Sequence, residues 1–428
     1  MFVRRFRLGL LILAFACLLY GSAAFAQEAP RFVRVPVYFV TDRNLHSTDA
    51  HSGPEFGPQR KYVGDCKHDP FMGNGYCVLE NTAAKKLTPE LIALGWAAAE
   101  EKEIEGSRKL QLIEAASFPE IQDKFCEKLL EDARKSSHKD IILFAHGYKN
   151  SFNSALHTAA RFSYSFEEPA ILYSWPSVAK LRSYTADENN NEWSQEHYND
   201  LIEKLEELCD KNTDVHMRIF AHSLGTRLAI RATPIIRLKK CISEVALVCP
   251  DIDQGLVKHY ARRYLSAEGT CMLRMYMSQA DKALVFSQMM HGGYNRLGEC
   301  ADSITAFASS LIPSAKAQTD DQLNKAEEAR FSSLVEKTKK RMQTIDFTEL
   351  DSGLIGHKIP TDLMYSMSYT NAPGEGLKLE HESSGERNKY SRLLSTLTRH
   401  RQDSVMPKDT CLKVTKADSN PNRKVAGK

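Results

Sequence analysis

What this 428-residue sequence lacks narrows its reading first. Net charge is nearly missing: 57 Lys and Arg stand against 54 Asp and Glu, a formal +3. Such a balance gives no reason to expect a nucleic-acid partner, which needs a basic surface. After the first two dozen residues there is no apolar run of membrane-spanning length. Ten cysteines and 14 histidines are present, yet no Cys/His spacing fits a zinc site, so no metal is expected. What remains, 42% hydrophobic residues, is the composition of a globular protein.

The ends differ from the middle. Arg4, Arg5 and Arg7 precede an apolar stretch from Leu8 to Tyr20, and Ala24-Phe25-Ala26 supplies a small-x-small site. Residues 1–26 are therefore expected to be a cleaved export signal, with a periplasmic or extracellular destination. Removing 26 residues from 428 leaves 402, enough for one large domain or two ordinary ones. The three leader arginines account for the whole charge excess, leaving a neutral mature chain. From Arg387 to Lys428, eleven Lys and Arg face three Asp. Residues 376–428 are expected to form a basic, disordered tail whose candidate role is contact with an anionic surface. Nine cysteines remain after the leader; Cys66 and Cys77 are the expected disulfide, and Cys126, Cys209, Cys241, Cys249 and Cys271 the expected buried thiols.

Between the ends, strand and helix signals alternate. Phe32 to Val40 reads as a strand, with Pro36 marking a strand start or an edge. The glycine-rich segment from His46 to Asn81 reads as loop, and Leu87 to Arg134 as helical. Asp140 to Ala145, Ala170 to Trp175, Val215 to Ala221, Ser243 to Cys249 and Cys271 to Met277 read as strands. Helical segments separate them: Ser154 to Phe162, Tyr198 to Leu208, the segment after Ser223, and Leu256 to Tyr264. A further helix is expected from Lys282 to Met290. Residues 306–342 interrupt the rhythm as a helical insertion, and a strand near Thr344 to Phe347 closes it. The pattern predicts an α/β fold over residues 27–375: a mostly parallel, doubly wound sheet with helices on both faces.

The chemistry centres on Val215 to Ala232, V-H-M-R-I-F-A-H-S-L-G-T-R-L-A-I-R-A. An apolar strand ends at Ala221-His222-Ser223-Leu224-Gly225 and a helix follows. Small residues two positions either side of a serine are what a sharp strand-to-helix turn requires, and such a turn exposes the serine as a nucleophile. Ala221 stands where glycine is usual, a mild steric departure. The hydroxyl needs a histidine base, and the histidine an orienting carboxylate. Asp281, after the Cys271 to Met277 strand, and His357, in I-G-H-K-I-P, supply these in the chain order Ser, Asp, His. Asp281 is also placed to cap the helix from Lys282. Asp251 and Asp253, one strand earlier, are the alternative acids, and His291 and His222 the alternative histidines. Backbone N–H groups of Leu224 and Tyr148 are the candidate oxyanion donors. His146, Gly147, Trp175 and His222 are candidates for the substrate rim, as is the polar Tyr184 to Trp193 stretch, read as a loop. Asp42 and Arg43 read as structural charges.

These blocks together resemble a bacterial branch of the α/β-hydrolase superfamily, described as α/β hydrolase of unknown function. The matching pieces are V-P-V-Y-F-V-T-D-R-N, F-A-H-G-Y-K-N-S-F, L-Y-S-W-P-S, F-A-H-S-L-G-T-R, V-C-P-D-I-D, S-Q-A-D-K-A-L and G-H-K-I-P. The resemblance implies Ser223, Asp281 and His357 as the triad and names no substrate. The expected function is a secreted serine hydrolase acting on a small-molecule or lipid-like carboxylic ester, without metal or organic cofactor. The alternative is a non-catalytic, envelope-associated binding protein that keeps the fold.

Overall fold

A computed structural model describes residues 28–370 apart from 63–68, 181, 237–240, 254, 257–259, 261–270, 279, 295, 300–332, 334–340, 349–356 and 358, and also describes 411–413. The leader, the expected insertion (but for Ser333, Arg341 and Met342) and nearly all of the expected tail lie outside these residues.

Asp140–Ala145 (β7) and Ala170–Ser174 (β8) are buried at every position. Strands with no exposed residue must be covered on both faces, and the architecture provides that. The remaining strands of the main sheet are Phe32–Thr41 (β1), Phe71–Glu80 (β4), Ala97–Ala98 (β5), Arg108–Leu112 (β6) and His216–His222 (β9). Ile242–Val248 (β10), Met272–Met277 (β11), Met342–Asp346 (β12) and Cys411–Lys413 (β13) complete it. They form an 11-stranded sheet in the order β13-β12-β11-β10-β9-β7-β8-β1-β4-β6, with β5 beside β1. All pairings from β1 through β8 to β13 are parallel; β4, β5 and β6 join antiparallel. Arg43–Asp49 (β2) and Gly53–Arg60 (β3) pair separately.

Helices cover both faces. One apolar core holds Phe125 and Leu129 of Phe118–Lys135 (α2), Leu201 and Leu205 of Gln195–Lys211 (α5), and Leu228 of Thr226–Ile236 (α6). The other holds Phe152 and Phe166 of Phe152–Phe166 (α3), Leu284 of Lys282–Met290 (α7) and Met364 of Thr361–Thr370 (α8). Local chemistry sets the helix ends. Pro119 sits in the first turn of α2 and Arg134 and Lys135 in its last, both favoured there by geometry and dipole. Ser151 Oγ accepts the Ser154 N–H (3.1 Å) at the start of α3, which stops at Glu167 in the left-handed region (φ +59°). No helix among the described residues is long and apolar enough to cross a membrane.

Several local expectations need correction. The glycine-rich stretch from His46 to Asn81 is not loop; it contains β2, β3 and β4. Its glycines serve close backbone packing: a Cβ on Gly73 would lie 2.3 Å from Gln111 O and from the Phe39 ring, and one on Gly75 2.0 Å from Lys109 O. Leu87 to Arg134 is helical only at Pro89–Ala93 (α1) and α2, with β5 and β6 between. β1 is internal, not an edge. Pro36 is tolerated because it falls between the β5 contacts at Val33 and Arg34 and the β8 contacts that begin at Tyr38. Tyr184–Trp193 is a helix (α4). Cys77 is a free, buried thiol, not half of a disulfide, and burial pushes it up to about 12; Cys66 lies outside the described residues. The expected helix from Leu256 is described too sparsely to trace.

Arg218, which interrupts the apolar run of β9, is held by flanking carboxylates. Its guanidinium pairs with Asp140 of β7 (2.6 Å) and Glu244 of β10 (2.7 Å), both buried. A charge inside a sheet requires such partners on the neighbouring strands.

Candidate active site

The chain runs from β7 to β8 on one side, then returns across β7 to β9 on the other. The carboxyl ends of β7 and β9, at such a reversal, are where open α/β sheets bind ligands. His146–Asn150 follows β7 and Ser223 follows β9.

Ser223 is buried and adopts φ +52°, in the left-handed region that non-glycine residues rarely occupy. Holding it there costs on the order of 1–3 kcal/mol, and two bonds to its carbonyl offset this: Thr226 Oγ1 donates at 2.6 Å and Asp251 N at 3.3 Å. The turn continues as Ser223–Gly225 into α6. Gly225 is required by packing, since a Cβ there would sit 2.3 Å from His146 O. The β7 loop lies equally close. A Cβ on Gly147 would come within 2.7 Å of Ser223 Cβ and 3.0 Å of His222 Nδ1. Gly147→Ala is therefore expected to push the loop off the serine and lower kcat about 100-fold, since ~1 Å of misplacement has that effect. Steady-state kinetics with a folded variant checks this, and a wild-type rate would refute the contact.

The other two residues meet at neighbouring strand ends. His357, after β12, donates from Nδ1 to Asp281 Oδ2 at 2.5 Å. Asp281, after β11, uses its second oxygen differently: Oδ1 accepts the N–H groups of Ala283 and Leu284, both at 3.0 Å, capping α7. One buried carboxylate thus starts a helix and holds an imidazole. The His357 ring lies 4.6 Å from that of His222, the residue before Ser223. A left-handed serine at a strand-to-helix turn and, at neighbouring strand ends, an imidazole held by a carboxylate are the kinds of group that nucleophilic acyl transfer uses.

Residues 121–341, just over half of the chain, match the protein family described as alpha/beta hydrolase of unknown function (DUF900). The chain belongs to this family. It is an α/β hydrolase, and the match includes Ser223 and Asp281 but ends before His357. Two solved structures share a distant likeness. An esterase of Pyrobaculum calidifontis is 9% identical, with 69% of this chain and 87% of that chain covered at a TM-score of 0.24. A hydrolase from Oleispira antarctica is 14% identical, with 63% and 93% covered at a TM-score of 0.20. No curated protein matches the chain.

Within this α/β hydrolase the alternative site residues have other partners. Asp251 accepts from Tyr184 Oη (2.5 Å) and Ser287 Oγ (2.6 Å) and pairs with Arg296 (3.3 Å); it joins α4 to α7, and no hydrogen bond links it to His357. Asp253 Oδ1 accepts the Leu256 N–H at 3.1 Å. His291 pairs with Glu188 at 2.6 Å. Of the rim candidates, His146, Trp175 and His222 are buried. His146 stacks on Trp175 (centroids 4.8 Å apart), whose indole N–H donates to His146 O at 2.8 Å. Tyr148 is half-buried; its Oη donates to Lys180 O (3.0 Å) and its ring packs edge-on against Tyr184. Leu224 is fully buried at the start of the turn.

Sequence reasoning treated Arg43 as a structural charge and missed how much it organises. Its guanidinium is buried among loop atoms, donating to Ser174 Oγ (2.8 Å), Ser177 O (2.9 Å), Asn150 O (2.8 Å) and His146 Nε2 (3.3 Å). Asp187 of α4, also unanticipated, accepts from Ser177 Oγ (2.5 Å), Val178 N (2.7 Å) and Lys149 N (3.3 Å). Together they clamp the loops after β7 and β8. Burial, then the nearby Arg43 charge, lowers His146 to about 3. Burial, then His357 and His146, holds His222 well below the usual imidazole range. Both rings are neutral in the folded protein at neutral pH. The unfolded chain takes up these protons near pH 6.5 and the folded His146 only near 3, so unfolding binds protons between those values. Stability is expected to fall as pH drops through that window, by up to about 1.4 kcal/mol per unit for each histidine. Urea midpoints from pH 7 to 4 check it; a flat profile would contradict neutral burial.

Proposed function

We propose that this α/β hydrolase is an exported serine hydrolase that cleaves a carboxylic ester through an acyl-enzyme. The observation that carries the reading is the left-handed Ser223 at the strand-to-helix turn, on the same sheet end as the short His357–Asp281 bond. His357 Nε2 takes the Ser223 hydroxyl proton as Oγ attacks the ester carbonyl. Nδ1–H to Asp281 keeps the imidazole in the tautomer that leaves Nε2 as acceptor and stabilises the imidazolium that forms. The oxyanion is received by the N–H groups of Leu224, at the start of the helical turn, and of Tyr148, beside Gly147. His357 then protonates the departing alcohol, and water resolves the acyl-enzyme by the reverse proton path. The export signal and the basic tail suit a substrate outside the cytoplasm, with the tail favouring an anionic surface.

The direct test is covalent labelling of the mature protein with a fluorophosphonate, with the adduct located by mass spectrometry. The expected adduct is on Ser223 and is lost in Ser223→Ala and in His357→Ala. A folded protein with no adduct would instead favour a binding protein built on the same fold.

A further inference from the structure

Near the nucleophile lies a set of donors of which the proposed ester hydrolysis uses only His357. One ligand atom from each of His222, Cys249 and His357 lies within 4.8 Å of the other two. Cys249 is buried at the end of β10, at φ +45°, and His222 is 8% exposed with Nε2 making no hydrogen bond. His357 Nδ1 is engaged by Asp281, so the nitrogen it offers is Nε2. A carboxylate fixing one imidazole nitrogen while the other faces a cluster of donors is how zinc proteins orient their histidine ligands.

We propose that His222, Cys249 and His357 bind a single zinc ion whose occupancy switches the hydrolase off. The inhibitory half rests on His357 being the general base. Zinc takes two imidazole nitrogens and one thiolate readily, at about 2.0–2.3 Å each. Neighbouring ligand atoms around a tetrahedral ion are then roughly 3.5 Å apart, so a pair at the 4.8 Å limit closes by about 1.3 Å, within reach of an imidazole rotation. No electron is transferred. The ion accepts lone pairs from both imidazoles and from sulfur, and the Cys249 thiol proton leaves to solvent. The His357 Nε2 lone pair is then unavailable to Ser223, and acylation stops. The hydrolase would thus sense a borderline-soft divalent cation in its surroundings.

The test uses the mature chain stripped with a chelator. Zinc titration by calorimetry is expected to show one site. Cobalt substitution should give a thiolate-to-metal charge-transfer band that Cys249→Ser abolishes. Fluorophosphonate labelling of Ser223 should slow as zinc is added. Cys249→Ser should label at the wild-type rate without zinc and need far more zinc to be protected, beyond the roughly 10–100-fold that losing a mere second-shell partner costs. Ser223→Ala should still bind. His222→Gln, with folding checked by circular dichroism, is the second variant. An absent cobalt–thiolate band, or zinc affinity unchanged in both folded ligand variants, overturns the site. Zinc binding in a protein that never labels would leave the metal site standing and sink the hydrolase reading; labelling indifferent to zinc would sink the switch alone.

Discussion

His357→Ala is expected to lower kcat/KM for a small ester by roughly 10⁴–10⁶-fold, with the fold unchanged. In the proposed mechanism the imidazole takes the Ser223 proton; without it the hydroxyl stays neutral and is a poor nucleophile. The loss corresponds to about 5–8 kcal/mol of transition-state stabilisation. Its partner allows catalysis and folding to be separated, because the two oxygens of Asp281 do different work. Asn caps a helix about as well as Asp, so Asp281→Asn should preserve stability. It cannot hold the required imidazole tautomer, so the rate should fall by up to about 10⁴. Asp281→Ala should lose the same activity and, in addition, about 1 kcal/mol from the α7 cap. Esterase kinetics and thermal melts of the three variants decide it. Near-wild-type turnover in folded Asp281→Asn would remove Asp281 from the mechanism.

Arg43→Met should unfold the protein or leave it marginal. Arg43 is 1% exposed, and no carboxylate lies within ion-pair distance of it among the described residues. Burial lowers its pKa to about 9, against an opposing pull from Asp187. It therefore remains charged at neutral pH and is solvated by loop atoms. Methionine fills the space but leaves the Asn150 and Ser177 carbonyls buried without their donor. Each such acceptor costs roughly 1–3 kcal/mol, a large part of a typical 5–15 kcal/mol. Arg43→Lys keeps a charge but cannot fork to both loops at once. It should fold and show a kcat reduced on the order of 10–100-fold with KM little changed, because the loop after β7 is no longer held against Ser223. Urea melts together with a kcat and KM comparison check both. Unchanged kcat in a loosened Arg43→Lys would separate the clamp from catalysis.

The strand-to-helix turn was legible because its determinants are local: an apolar run, a serine between small residues and a helical period fall within Val215 to Ala232. β7, β8 and α7 were legible for the same reason, since continuous burial and helical spacing leave their mark on single segments. The glycines of β4 misled, because glycine signals loop in one dimension and close strand packing in three. Trp175 and His146 misled as rim residues because aromatic and polar loop residues resemble binding residues until their stacking on each other is seen. Asp281 is the acid expected from the sequence and Asp251, one strand earlier, the alternative, each following a strand. Tertiary contacts separate them, giving Asp251 to Tyr184 and Ser287, and Asp281 to His357.

Sequence by itself determined the alternation of strands and helices, the turn that carries Ser223 and the short set of residues able to serve it, because each depends on neighbours a few positions away. Only the tertiary structure decided that Asp281 meets His357 across 76 positions, that Arg43 ties the loops after β7 and β8 together, and that Cys249 shares a cluster with two histidines no spacing rule connects. The physical reason is common to all three. Hydrogen bonds and metal ligation act over about 2–3 Å between atoms, and which distant residues come that close is set by strand order in the sheet.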